Sequence, residues 1–164
     1  MSAGKFLALV AGIITLLGTY FFAISGVTGT VGSGIGFITN LSDLFSDAET
    51  SATDLDTPLA LYYLYVILFI IFLASGVLQM LSIRSRAVGF IFSLFPLCIG
   101  IMFILLGYTE LLGDKSLFFS TFFNGEQYGD FFPILVDLGE LALGTYILLA
   151  GGVLGVICVF IERD

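Results

Sequence analysis

Four carboxylates flank the last two apolar segments of the chain, and they are its clearest candidates for chemistry. Glu110 and Asp114 follow the third segment, whereas Asp137 and Glu140 begin the fourth. Carboxylate oxygens in such a cluster bind Ca²⁺ or another hard cation, or take protons. Acids in the first turn of a helix are also stabilised by the helix dipole without any function. The sequence leaves both interpretations of these four residues open.

The other residue types argue against catalysis. The chain has no His, which removes the commonest metal ligand and the usual general base near neutral pH. Cys98 and Cys158 fall inside apolar runs without a CxxC motif, which favours packing over redox chemistry. No phosphate loop, zinc ligand set or haem ligand pair occurs. We therefore expect no enzyme and no bound cofactor.

Residues 28–34, TGTVGSG, resemble the TVGYG filter of potassium channels, whose backbone carbonyls replace the water around the ion. In those channels a pore helix precedes the filter. Here the segment follows the first apolar run directly, and the filter Tyr is absent. We interpret residues 28–34 as a flexible, glycine-rich exit from the membrane.

The composition of the chain predicts the helices that carry these residues. The chain has 164 residues, of which 59% are hydrophobic, 18 are Phe and only 11% are charged. Soluble domains carry about 25% charged residues. Four apolar runs reach the roughly 20 residues that a membrane helix needs, and none alternates with a period of two. Only helices and closed barrels satisfy the backbone in lipid, so the sequence predicts an all-α, four-helix integral membrane protein.

The four runs form a single domain over residues 1–164. Lys5, Arg84, Arg86 and Arg163 lie on one side of the spans and Lys115 on the other, so the positive-inside rule predicts cytoplasmic termini. The protein is then a multi-pass protein of the cytoplasmic membrane or an equivalent one. The predicted spans are residues 5–26, 58–82, 87–109 and 138–161, with outer loops at 27–57 and 110–137.

Small residues at helical spacing predict where the helices touch, because close packing drives helix association in lipid. The fourth run carries a GxxxG pair, and a stripe of small residues extends from it in both directions. Similar stripes occur in the first and third runs. The predicted packing residues are Gly12, Thr15, Gly100, Gly144, Gly151 and Gly155.

The outer loops contain three further features. Five apolar residues recur at helical spacing, which predicts a short amphipathic helix on the outer surface: Ile35, Ile38, Leu41, Leu44 and Phe45. Asn40-Leu41-Ser42 is a glycosylation sequon. The second loop is rich in Phe, which we expect to dip into the membrane interface or to contact another subunit. These residues are Phe118, Phe119, Phe122, Phe123, Phe131 and Phe132.

The layout of four spans, two outer loops and cytoplasmic ends is similar to that of tetraspanins and claudins. The resemblance covers topology only, because the chain has no Trp and no loop Cys, so the loop motifs of both families are missing.

The sequence favours a non-catalytic structural or accessory subunit, or a self-associating scaffold. The alternative is a small ion or proton channel or transporter that uses the outer carboxylates. Expected partners are membrane lipid and other membrane subunits or further copies of the chain. The net charge of −8 excludes nucleic acid as a partner, because nucleic-acid binding depends on basic residues.

Overall fold

The computed structural model describes residues 2–27, 29–111 and 122–161. Four of its helices are long and apolar enough to cross a membrane, which confirms the prediction of a helical membrane protein by length and composition. The first span comprises helix α1 (Ala3–Leu16) and a π-helical turn at Leu17–Phe21. The spans are Ala3–Phe21, Leu59–Met80, Arg86–Tyr108 and Leu143–Phe160.

The spans form an antiparallel bundle in chain order. Helix α1 (Ala3–Leu16) packs on α4 (Leu59–Met80) and α6 (Leu143–Phe160), and α5 (Arg86–Tyr108) packs on the same two helices. A Cβ added at Gly12 would meet the Gly76 carbonyl of α4 at 2.7 Å. The first residues of α1 and the 3₁₀ turn Leu81–Ile83 therefore lie at the same end of the bundle.

The opposite end carries a compact unit that we call the cap, formed by residues 22–27, 29–57 and 122–142. It contains helices α2 (Gly34–Ser46) and α3 (Ala48–Asp54). Strands β1 (Ser25–Val27), β2 (Thr30–Gly32) and β3 (Asn124–Glu126) form an antiparallel sheet in the order β1-β2-β3. The sheet joins the two loops that the sequence places far apart.

Thr30–Gly32 of the glycine-rich segment form strand β2, so the interpretation of this segment as a flexible exit is wrong. Val31 pairs with Gly26 of β1 and with Gly125 of β3. Ser33 then accepts a hydrogen bond from Gly36 N at 3.0 Å and caps α2. The glycines serve close backbone packing here, because a Cβ at Gly26 would lie 2.7 Å from the Val31 Cα.

The predicted amphipathic helix exists as α2, but its buried face differs from the predicted one. Phe37 and Leu44 are buried, whereas Ile38 is 49% exposed and Phe45 is 46% exposed. The helix turns Gly36 and Phe37 inward because its neighbour is the β3 region: a Cβ at Gly36 would meet the Asn124 carbonyl carbon at 3.0 Å.

A cluster of aromatic rings forms the core where the cap meets the bundle. Phe122 and Phe123 are buried in it, so the prediction that they dip into the interface or contact another subunit is wrong for these two residues. Phe131 is 67% exposed, so for this ring a contact with the membrane interface or with another subunit stays a prediction. Phe118 and Phe119 lie outside the described residues.

Candidate functional site

Asp137 and Glu140 do not lie at the start of a helix. Helix α6 starts at Leu143 and has no acid in its first turn, so the explanation of Asp137 and Glu140 by a helix dipole is wrong. Asp137 instead accepts a hydrogen bond from Gly139 N at 3.2 Å, and the φ of +97° at Gly139 interrupts helical geometry. Glu110 is exposed just beyond α5.

Asp114 lies outside the described residues, so the set of four is not seen as a whole. Among residues 2–27, 29–111 and 122–161, no group of three or more His, Cys, Asp or Glu side chains is placed to hold a metal ion.

Among the described residues, basic and acidic side chains lie at opposite ends of the bundle. The described basic side chains, Lys5, Arg84 and Arg86, lie at the end opposite the cap. The described acids all lie at the cap end, and they are Asp43, Asp47, Glu49, Asp54, Asp56, Glu110, Glu126, Asp130, Asp137 and Glu140.

The predicted packing residues lie where helices touch. A Cβ at Gly100 would meet Leu149 Cγ at 2.7 Å, and one at Gly144 would meet the Phe22 carbonyl at 2.9 Å. At Gly151 the same addition would lie 3.0 Å from Thr15 N. The glycines therefore let α1, α5 and the cap approach the α6 backbone directly.

One side chain or glycine from each span meets in a group that we call the four-helix node: Thr15, Gln79, Ser93 and Gly155. Thr15 Oγ1 donates to Gln79 Oε1 at 2.7 Å, and Gln79 is 1% exposed. Gln79 Nε2 has no hydrogen-bond partner among the described residues. It points at Gly155, where an added Cβ would lie 2.8 Å from it.

From the sequence, Gln79 is expected near the inner edge of the membrane, and it is the penultimate residue of α4. Its contacts with Thr15 and Gly155 inside the bundle were not predicted. The available signal was that Gln79 is the only Asn or Gln in the four spans. An amide within a span is expected to face other helices, because exposing it to hydrocarbon costs several kcal/mol (about 2–7).

Three other hydroxyls in the spans donate to backbone carbonyls, unlike Thr15. Thr19 donates to Thr15 O at 2.8 Å, and Ser93 donates to Gly89 O at 2.6 Å. Thr145 donates to Ile24 O at 2.7 Å and so ties α6 to the cap. Because these groups bond to carbonyls, they do not form a chain of side chains through the bundle.

Neither cysteine is paired in a disulfide. Cys98 is exposed on α5, and Cys158 is buried, with its Sγ 3.0 Å from Gly155 O. Cys158 therefore packs inside the bundle, whereas Cys98 lies on its outer surface.

The cap contains a polar cleft of about 550 Å³ between α2 and β3. Asn40 lies in its wall, and its Nδ2 donates to Asn124 O at 2.7 Å and to Phe122 O at 3.3 Å. A glycan on that nitrogen would disturb both bonds. The cleft is lined by Thr30, Ile35, Gly36, Thr39, Asn40, Asn124, Gly125, Glu126, Gln127 and Tyr128.

Comparison with known proteins finds no match to a family model, a curated protein or a solved structure. The similarity to tetraspanins and claudins stays a statement about layout.

Proposed function

We propose that the protein is a non-catalytic membrane scaffold or accessory subunit, whose bundle anchors the cap at the membrane surface for contact with other copies or other membrane subunits. The supporting observation is the close packing of the spans around the four-helix node. Gly151 lies directly against the Thr15 backbone, and Gly152 against the Leu97 backbone. Such packing favours a rigid support over a conducting path.

The charge division supports an orientation. Lys5, Arg84 and Arg86 flank the spans at one end, and short basic flanks remain in the cytoplasm. The cap would then face outward, where it is accessible to partners on the other side of the membrane.

The alternative is an ion or proton translocator that uses Glu110, Asp114, Asp137 and Glu140. It predicts that acids at the mouth control flux. The spans carry their described charges, Lys5 and Arg86, only near the end opposite the cap, whereas translocation pathways usually place ionisable groups within the membrane.

Native mass spectrometry of the protein, extracted gently from its own membrane, tests the proposal. We expect the full chain to emerge bound to copies of itself or to other membrane polypeptides. In parallel, proteoliposomes should show no more ion or proton leak than protein-free liposomes.

The combined variant Asp137→Asn with Glu140→Gln separates the two functions. A scaffold keeps its assembly state, because both side chains are exposed and outside α6. A monomer without partners whose flux disappears in this variant would contradict the proposal and support the translocator. The matched control is Asp54→Asn with Asp56→Asn, which removes the same charge from the C-terminal end of α3.

A further inference from the structure

The part of the cap that precedes α6 is bonded to the ends of two spans. We call residues 131–138 the pre-α6 segment. Ile134 N–H donates to Phe21 O at 2.8 Å, and Leu143 N–H donates to Val136 O at 2.9 Å. Phe21 ends the first span and Leu143 begins the fourth. The pre-α6 segment therefore lies level with the cap ends of these two spans.

The lengths of the two spans set the depth of this level in a membrane. The fourth span has 18 residues, which make a helix of about 27 Å, and the hydrocarbon core of a bilayer is about 30 Å thick. A span this short uses its whole length to cross, so Leu143 lies at the edge of the hydrocarbon. The first span has 19 residues and reaches the same edge at Phe21. The pre-α6 segment is thereby held where the hydrocarbon meets the headgroups.

The pre-α6 segment has one face toward the cap and one face exposed. Leu135 packs against a small buried cluster of the cap, which contains Ala23, Val31 and Ala142. Every second residue after Pro133 is a large apolar one that is exposed, and Phe131 adds an exposed ring at the start of the segment. We call these exposed residues the apolar row: Phe131, Ile134, Val136 and Leu138.

The apolar row is continuous with the exposed surface of the first span. The ring centroid of Phe131 lies 6.4 Å from that of Phe132, which lies 5.9 Å from that of Phe21. Phe21 is itself exposed and belongs to the span, so in a membrane its ring faces lipid. Exposed apolar patches mark contact with a membrane or with another protein. Continuity with a lipid-facing surface favours the membrane.

Two carboxylates limit how deep the apolar row can lie. Asp137 and Glu140 are exposed next to it. Moving a carboxylate into hydrocarbon is costly, whereas water and headgroups solvate it at the interface. A row of apolar side chains beside exposed acids therefore fits the headgroup level and not the hydrocarbon interior.

We propose that the apolar row inserts among the headgroups and first methylenes of the leaflet on the cap side, and so anchors this edge of the cap on the bilayer. Amphipathic segments bind lipid surfaces in this way, with their apolar side chains about 5–10 Å into the boundary between headgroups and acyl chains. The inference goes beyond the proposed function, because the contact is with lipid and not with a protein partner.

The test uses tryptophan fluorescence, because the chain has no Trp and a single introduced Trp is the only indole. Leu138→Trp is prepared as the full chain in phosphatidylcholine nanodiscs. The lipid is unbrominated, brominated close to the glycerol or brominated close to the chain ends. Bromine quenches an indole only at contact distance. We expect bromines close to the glycerol to lower the emission at least twofold, and bromines at the chain ends to lower it less.

Two further single-Trp variants calibrate the depth. Ile13 is 44% exposed in the middle of the first span, close to the 46% of Leu138. Ile13→Trp should be quenched most by bromines at the chain ends. Thr50 is exposed on α3, between acidic residues. Thr50→Trp should emit equally in all three lipids. Phe131→Trp, which replaces one exposed ring by another, is the second reporter of the apolar row.

Three results would overturn the inference. If Leu138→Trp and Phe131→Trp emit equally in all three lipids at long wavelength, the apolar row faces water. Equal emission at short wavelength would mean that a second copy of the chain covers the row. Quenching like that of Ile13→Trp would place the row inside the hydrocarbon. Native mass spectrometry of the unchanged chain measures its assembly separately, so failure of this inference leaves the scaffold proposal standing.

Discussion

The bundle interior and the core of the cap are packed by opposite means. Around the four-helix node, glycine and hydroxyl residues let backbones touch, as at Gly151 and Thr15. Under the cap, rings fill the space. Phe123 lies with its ring centroid 5.1 Å from that of Phe69 and 5.5 Å from that of Phe103, both edge to face.

The difference follows from the two solvents. Lipid tails are as apolar as Leu, so helices in the membrane gain little from burying large apolar side chains and associate through close contact instead. The cap carries most of the described acids, as a region in contact with water does, and in water the burial of rings is strongly favourable. Phe69 and Phe103 belong to spans, whereas Phe37 and Phe123 belong to the cap. The aromatic cluster therefore joins the two regions, and it should be the more sensitive one to truncation.

Phe123→Ala should give the largest effect. Phe123 is fully buried, and its removal leaves a cavity among Phe37, Phe69, Phe72 and Phe103. We expect the free energy of unfolding to fall by about 3–5 kcal/mol. Unfolding by SDS in mixed micelles, followed by near-UV circular dichroism, measures the change.

The control for this variant is Phe131→Ala, which removes an exposed ring from the same part of the cap. It should change the free energy of unfolding by less than about 0.5 kcal/mol. If the two variants lost similar stability, the cluster would not be what fastens the cap to the bundle.

The sequence predicts the spans but not the sheet of the cap, and the reason is physical. A span is a local property of about 20 apolar residues, so all four runs are found within a few residues of their ends. The strands are three residues long and contain Gly26, Gly32 and Gly125, so they carry no alternating pattern. Their pairing joins loops almost 100 residues apart, which no local signal predicts.

The start of α6 shows how one residue overrides an apolar pattern. The apolar run extends back to Leu138 and predicts a helix there. Gly139 instead adopts a φ of +97°, and Leu138 N donates to Leu141 O at 3.0 Å in a turn. Asp137 and Glu140 therefore lie outside the helix. Helical spacing does not predict whether their carboxylates lie close enough to share a cation.

The candidate site was only partly predictable. Stripes of small residues gave Gly151 and Gly155, because helix contacts repeat along one face. They did not predict the role of Gln79, because α4 consists mostly of large apolar residues and has no stripe of small ones. The pairing of Gln79 with Thr15 depends on how four helices are arranged, which is a property of tertiary structure.

Gly151→Ala tests the packing of the bundle and should have a smaller effect than Phe123→Ala. The added methyl would lie against Thr15, 3.0 Å from its N and 3.2 Å from its Cα. Overpacking of this kind costs about 1–3 kcal/mol, whereas Ala gains about 0.5–1 kcal/mol over Gly in a helix interior. We expect a net loss on the order of 1 kcal/mol in the same SDS titration.

Val153→Ala is the control, because Val153 lies on the same helix and is exposed outside the bundle. Its cost should stay below about 0.5 kcal/mol. Equal effects of Gly151→Ala and Val153→Ala would mean that α1 and α6 tolerate separation, and that the bundle is looser than the cap.

Gln79→Met should give the smallest effect, with the opposite sign. The substitution keeps the side-chain length, removes the unpartnered Nε2 and frees Thr15 to donate to a carbonyl of its own helix. If Thr15 finds an acceptor in its own helix, the substitution leaves no buried donor unsatisfied, and an apolar replacement of similar shape is then neutral or stabilising. We therefore expect stability to be unchanged or to rise by up to about 1 kcal/mol. Gln79→Ala, which leaves a cavity, should instead cost about 2 kcal/mol or more. If Gln79→Met lost as much stability as Gln79→Ala, the amide would be fully bonded in the membrane. The four-helix node would then stabilise the bundle by polar contacts. Polar contacts would have to be added to small residues as a second means by which the bundle is packed, in contrast to the rings of the cap.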